Sequence, residues 1–369
     1  MTARSYVYLR YYHWISVVLA IRDKRTADGE DCRIVCRASV AKVLSAWGLE
    51  HGTDFVLLTE LRAEADESKS VELITHHHAD SVTELEETLE VHGFEKISVS
   101  FFADGFTNFL VHKEAIADFL KRQHSLRPGS IIFFDRVNEK ALDHLPDFDI
   151  EVLSASHLQA LMQHDVASSS AKRALEMITP SVGENGALLL VMRPWGSSTF
   201  HSGKFLLDDP VETASRMMQK LVDAINRHEG VARTVILRPD NRAPEFMARV
   251  VEHLRDRLKQ ESIVFPEEVW PEWMTLEPLL LSLPDDALGP PFIVASLDST
   301  ASLPFLEVRK GRTHYLGLPD SALAASGDEE FAKGTAARVR NLERHVRYIR
   351  RDTPDTVELL DPSFVKVSN

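Results

Sequence analysis

Short apolar runs alternate with segments of helical periodicity along most of the chain, and that alternation narrows the fold more than any other feature. Tyr6-Val7-Tyr8-Leu9, Arg33-Ile34-Val35-Cys36, Asp54–Leu58, Lys96–Phe102 and Ser130–Phe134 read as strands. His13–Ile21, Val40–Trp47 and Ser81–Val91 read as helices between them. Strands apolar on both faces and separated by helices predict a parallel sheet covered on both sides. After a Ser-, Thr- and Gly-containing stretch, Gln163–Gly186, which reads as a connection, the pattern starts again. Ala187–Met192, Thr234–Leu237, Ser262–Phe265 and Phe292–Ser296 read as strands, and His314–Leu318 as the last one. Asp208–His228, Pro244–Gln260, a short segment at Glu277–Leu281 and Phe331–Arg351 read as helices. The expectation is an α/β chain of two Rossmann-type, doubly wound parallel sheets facing across a cleft. Its parts are residues 1–180, residues 187–330, and a basic helix with a tail at 331–369.

A chain of 369 residues with 44% hydrophobic and 27% charged side chains can bury two full cores. Its formal net charge of -14 argues against bulk attraction to nucleic acid. Cys32 and Cys36 lie in or beside an apolar run, at a spacing unlike a zinc ribbon or thioredoxin motif. They read as reduced core thiols of a cytoplasmic protein. The apolar run Ile15–Ile21 is short and has no basic stretch before it, so neither a secretion signal nor a membrane span is expected.

Residues with chemistry in them cluster at the expected strand ends. Asp104, in Phe102-Ala103-Asp104-Gly105, places a carboxylate where an open α/β sheet meets its ligand and can act as a general base; Asp-Gly is also an ordinary turn pair. Arg238-Pro239-Asp240-Asn241-Arg242 ends another strand, and two arginines can hold a phosphate or carboxylate with forked hydrogen bonds. Glu277 enters an apolar helix and can accept two ribose hydroxyls, or simply complement the helix dipole. Leu297-Asp298-Ser299-Thr300 links an apolar strand to a helix start, where hydroxyls and free N–H groups favour a phosphate. Arg193–His201 has the make-up of a binding loop and ends on His201.

His76-His77-His78 with Asp80 has the composition of a metal site, but adjacent histidines on an extended chain point to opposite faces. No Asp-x-Asp pair sits at a strand end, and no G-x-S-x-G, H-E-x-x-H, Walker or G-x-G-x-x-G pattern occurs. No metal and no cofactor are therefore expected. The final helix carries Lys333, Arg338, Arg340, Arg344, Arg347, Arg350 and Arg351. That run reads either as a peripheral contact with anionic lipid on the inner face of a membrane, or as a solvated helix face.

In their order, these pieces resemble the bacterial sialyltransferase and polysialyltransferase families of GT-B architecture. Those families have an acidic-acidic-Gly motif in the first domain and a Lys-Pro-His-Pro-like motif in the second. A Glu at the nucleotide ribose and a Ser/Thr pair at the donor phosphate follow. The matching stretches here are Ala103-Asp104-Gly105, Arg238–Arg242, Glu277 and Ser299-Thr300. Two positions depart from the pattern. Ala103 replaces one acid, and Asp240 stands where the family has its histidine, a charge role that Arg238, Arg242 or His201 would have to assume.

The resemblance implies an acceptor-side domain at 1–180 and a donor domain at 187–330. It implies a metal-independent inverting glycosyltransferase that moves sialic acid or a related nonulosonate from a CMP-activated donor to a cell-surface glycan acceptor. Asp104 and Asp240 would be catalytic, and Arg238, Arg242, Glu277, Ser299, Thr300 and His201 would hold the donor. Two other readings stand beside it: another donor such as CDP-glycerol or a UDP-sugar, or a catalytically silent capsule or envelope assembly protein.

Overall fold

The computed structural model describes residues 4–61, 71–76, 81, 83–84, 97–102, 116, 121, 126–134, 147–153, 155–182, 187–191, 234–238, 244–259, 261–271, 273–283, 292–296, 313–316 and 357–360, with isolated positions between 211 and 223 and between 329 and 347. The chain forms two compact units. One is Met1–Ser169 with Trp273–Pro278; the other is Ser170–Glu272 with Leu279–Asn369.

The first unit holds a parallel sheet of β1 (Arg4–Leu9), β2 (Asp31–Cys36), β3 (Phe55–Leu57), β4 (Val71–His76), β5 (Ile97–Phe102), β6 (Leu126–Phe134) and β7 (Asp149–Leu153). Their spatial order is β3-β2-β1-β4-β5-β6-β7. Central β1 is buried from Ser5 to Leu9, as a strand covered on both faces must be. Tyr6 and Tyr8 join Val35, Leu73, Val99, Phe101, Ile131 and Phe133 in one apolar cluster. Helix α1 (Ile15–Ala27) packs on β1 and β2 and buries Ile15, Val18, Leu19, Ala20 and Ile21. Helix α2 (Ala38–Ala46) connects β2 to β3. Cys32 and Cys36 are buried and unpaired, and burial pushes both thiols up to about 12.

The second unit holds β8 (Ala187–Val191), β9 (Thr234–Arg238), β10 (Glu261–Ile263), β11 (Phe292–Ser296), β12 (Thr313–Leu316) and β13 (Val357–Leu360). All pairs are parallel, in the order β10-β9-β8-β11-β12-β13. Both sheets thus share one plan, in which the first strand lies at the centre and the order reverses beside it.

The structure corrects four points of the sequence reading. Gln163–Gly186 is not an irregular connection, because Asp165–Val182 is an 18-residue helix, α3. Two strands in the first sheet, β4 and β7, had no counterpart in the reading. Thr313–Leu316 is not the last strand, since β13 pairs beside it. Helix α1 also runs six residues past Ile21 to Ala27, ending with Lys24 and Arg25 in its last turn, where cations suit the helix dipole. Helix α4 (Pro244–Arg255) and the six-residue α5 (Glu277–Ser282) fall where periodicity placed them. Among the described residues, no helix is long and apolar enough to cross a membrane.

Candidate functional site

In an open parallel sheet, the crevice for a ligand lies beyond the carboxyl ends of the strands where their order reverses. In the first sheet that place is between β1 and β4. Leu9 ends β1, and the chain turns through Arg10, Tyr11 and a 3-10 turn at Tyr12–Trp14 into α1. His76 ends β4 and Phe102 ends the adjacent β5.

These ends carry a stack of rings. The Trp14 indole lies on the His76 imidazole, with centroids 3.9 Å apart and planes 16° apart. Phe102 meets both edge-on, 6.2 Å from Trp14 and 5.4 Å from His76. Tyr11 contacts Trp14 edge-on at 5.0 Å, and the Arg10 guanidinium sits 5.1 Å from the Tyr11 ring centroid. Trp14, His76 and Phe102 are each at most 3% exposed, so they form a wall rather than an open platform.

Beside the wall lies a charged group. The register of β1 and β2 pairs Leu9 with Cys36, so Arg10 and Arg37 are the first residues beyond two neighbouring strand ends. Both guanidiniums engage Glu84, Arg37 through Nε at 2.6 Å and Arg10 through Nη1 at 3.4 Å. The hydrogen bond to Glu84 is the foremost reason that the Arg37 guanidinium is raised above its ordinary value. Burial, then the Glu84 carboxylate, raises the Tyr8 hydroxyl. Two cations thus share the Glu84 carboxylate beyond the ends of β1 and β2.

A third group comes from late in the sequence but belongs to the first unit. Glu277 opens α5 and is half-buried. Its Oε2 accepts a hydrogen bond from Ser16 Oγ at 3.2 Å, and Ser16 Oγ lies 2.5 Å from Thr275 Oγ1. The same segment carries Trp273, whose ring is 6.4 Å from that of buried Trp47.

Of the residues read from sequence as catalytic or donor-binding, Glu277 has its side chain described, and the backbone of Arg238 closes β9. Asp104, His201, Asp240, Arg242, Ser299 and Thr300 lie outside the described residues, as do His77, His78 and Asp80. Among the described residues, no group of three His, Cys, Asp or Glu could hold a metal ion. In the basic helix, Lys333, Arg340 and Arg347 are exposed; Arg338, Arg344, Arg350 and Arg351 lie outside the described residues. Sequence reasoning did not single out Arg10, Tyr11, Trp14, Ser16, Arg37, Glu84 or Thr275, and it read His76 only as part of a metal-like composition, whereas its ring stacks on Trp14. A signal for Arg10 and Arg37 was present, since each directly follows an apolar strand run.

No protein-family model matches the chain, and no curated protein is significantly similar to it in sequence. Solved structures do match in shape. A UDP-N-acetylglucosamine 2-epimerase from Rickettsia bellii superposes with a TM-score of 0.50 at 9% identity, covering 95% of this chain and 98% of that one. The fold is GT-B-like. A sialyltransferase from Photobacterium damsela matches at a TM-score of 0.47 and 12% identity, over 98% of this chain and 82% of that one. MurG of Acinetobacter baumannii matches at 0.41 and 8% identity, over 98% and 87%. At such identities the likeness concerns the fold, and the chemistry has to be argued from residues.

Proposed function

We propose that the chain is a metal-independent, inverting glycosyltransferase that takes sialic acid or a related nonulosonate from a CMP-activated donor. The observation that carries this reading is positional. Asp104, Arg238, Asp240, Arg242, Ser299 and Thr300 all lie at, or within four residues beyond, the carboxyl end of a parallel strand: β5, β9 or β11. β11 borders the strand-order reversal of its sheet, and β9 and β5 each lie one strand away from theirs. Each sheet, taken by itself, has the kind of strand end at which open parallel sheets bind ligands.

The proposed reaction is a single displacement. Asp104 takes the proton of an acceptor hydroxyl as its oxygen attacks the anomeric carbon. The bond from that carbon to the CMP phosphate oxygen breaks, and CMP leaves with the electron pair. Ser299, Thr300, Arg238 and Arg242 stabilise the charge that develops on the phosphate. Glu277 accepts hydrogen bonds from the ribose. The ring wall and the Arg10–Glu84–Arg37 group border the acceptor side.

The test is melting temperature with CMP, CDP, UDP, GDP and ADP, each with and without magnesium, followed by turnover of CMP-sialic acid. A ligand that binds only the native state raises stability by mass action. A shift with CMP that ignores magnesium is expected. Asp104→Asn should then lower turnover by roughly 100-fold or more while keeping the CMP shift. A shift with CDP or UDP instead would move the donor to CDP-glycerol or a UDP-sugar. Asp240, in place of a histidine, favours a second reading as a silent assembly protein, and the absence of any nucleotide shift would select it.

A further inference from the structure

Ser16 lies in the first turn of α1, and Thr275 and Glu277 follow it by 259 and 261 residues. All three belong to the first compact unit. Ser16 is 1% exposed and Thr275 8%, in surroundings where alanine and valine would fill the same space without a polar atom to satisfy. Ser16 Oγ is 2.5 Å from Thr275 Oγ1 and 3.2 Å from Glu277 Oε2.

The direction of this chain follows from proton counting. A carboxylate only accepts, and each hydroxyl has one proton to give. The Ser16 proton therefore goes to Glu277. Its oxygen is then the acceptor for the Thr275 proton. The order is Thr275 to Ser16 to Glu277, and each bond polarises the next. A half-buried glutamate on a flexible side chain is thereby drawn to one position by a donor fixed in a helix.

We propose that Ser16 and Thr275 are positioning residues that orient the Glu277 carboxylate to accept the hydroxyl groups of a nucleotide ribose. This rests on the nucleotide-donor reading above. Bidentate recognition of a ribose needs a carboxylate held within a narrow range of angles, and the buried hydroxyl pair contributes to that restraint through Glu277 Oε2. A plain structural tie between α1 and residues 273–278 would use the same bonds. It would make no distinction between ribose and deoxyribose.

The experiment compares CMP with 2′-deoxy-CMP by calorimetric titration of the full chain, for wild type, Ser16→Ala, Thr275→Val and Glu277→Gln, with melting temperatures alongside. Wild type is expected to prefer CMP by about tenfold, the worth of a hydrogen bond to a charged group. Ser16→Ala should reduce that preference to about threefold or less, and Glu277→Gln should do the same. Thr275→Val acts one bond further away and should fall between wild type and Ser16→Ala. It also serves as the informative variant where Ser16→Ala fails to fold. A lower melting temperature with an unchanged CMP preference would make the hydroxyls a structural tie and overturn the inference, with the donor reading intact. A wild type that binds neither nucleotide would overturn both.

Discussion

Arg25 shows how one side chain organises what sequence reading cannot see. It lies in the last turn of α1 with its guanidinium 2.7 Å from Glu151, 3.0 Å from Glu30 and 3.6 Å from Glu72. Burial alone would lower this group, but Glu72, Glu151 and Glu30 outweigh it and hold it above its ordinary value. Glu72 also takes hydrogen bonds from Ser5 at 3.3 Å and Ser100 at 2.5 Å. Arg25→Met should cost about 3 kcal/mol at neutral pH, because it leaves Glu30 and Glu72 without this cation and Glu151 with Lys24 alone. Urea unfolding of the two proteins measures this; a loss below about 0.5 kcal/mol would mean that solvent already screens the group. The same residue explains two failures of the sequence reading. Glu72 sits in β4 and Glu151 in β7, the two first-sheet strands that had no counterpart there. A carboxylate inside an apolar run reads as a loop until its distant cation is known.

At the scale of elements, legibility follows the size of the buried side chains. β1, β8, β9 and β11 carry runs of large apolar residues, β2 ends on one and β5 alternates them with serine, and each was readable. Helix α3 was not. Its inward stripe is Ala167, Ser170, Ala171, Ala174 and Ile178, every one fully buried. Small residues have the helical spacing but little hydrophobic contrast with their neighbours, and Ser168-Ser169-Ser170 resembles linker composition. The end of α2 is legible for the opposite reason, since it rests on backbone geometry. Gly48 has φ of 85°, its N–H bonds to Ser45 O at 3.0 Å, and Leu49 N–H bonds to Leu44 O at 3.1 Å. A Cβ at Gly48 would meet nothing within 4 Å, so Gly48→Ala isolates the cost of the left-handed conformation. That cost should be about 1 kcal/mol. A urea midpoint unchanged by Gly48→Ala would show that this helix end relaxes to another conformation.

For the whole molecule, sequence order and spatial order agree for most of the chain and part company at residues 273–278. The repeated strand–helix plan made two parallel sheets readable, because alternation is local and each strand is buried by its own neighbours. The site was readable only in part. Glu277 could be picked out as a carboxylate entering an apolar helix, but its partner Ser16 lies 261 residues away, and nothing in local spacing joins them. The wall of Trp14, His76 and Phe102 likewise draws on three strand ends that only sheet topology brings together. Trp273–Pro278 belongs to the first unit although the residues on both sides of it belong to the second. Hydrogen exchange can separate the two orders. Trp273 packs near Trp47, which follows α2, and Thr275 bonds to Ser16 in α1. Trp273→Ala removes a half-buried indole, worth about 2 kcal/mol. If spatial order governs, amides in α1 and α2 should exchange roughly 10- to 30-fold faster, while β9, α4 and β10 keep their protection. If sequence order governs, the loss should appear in α4 and β10, the elements just before Trp273. Faster exchange there with α1 and α2 unchanged would remove residues 273–278 from the first unit, and with them the orientation of Glu277 by Ser16.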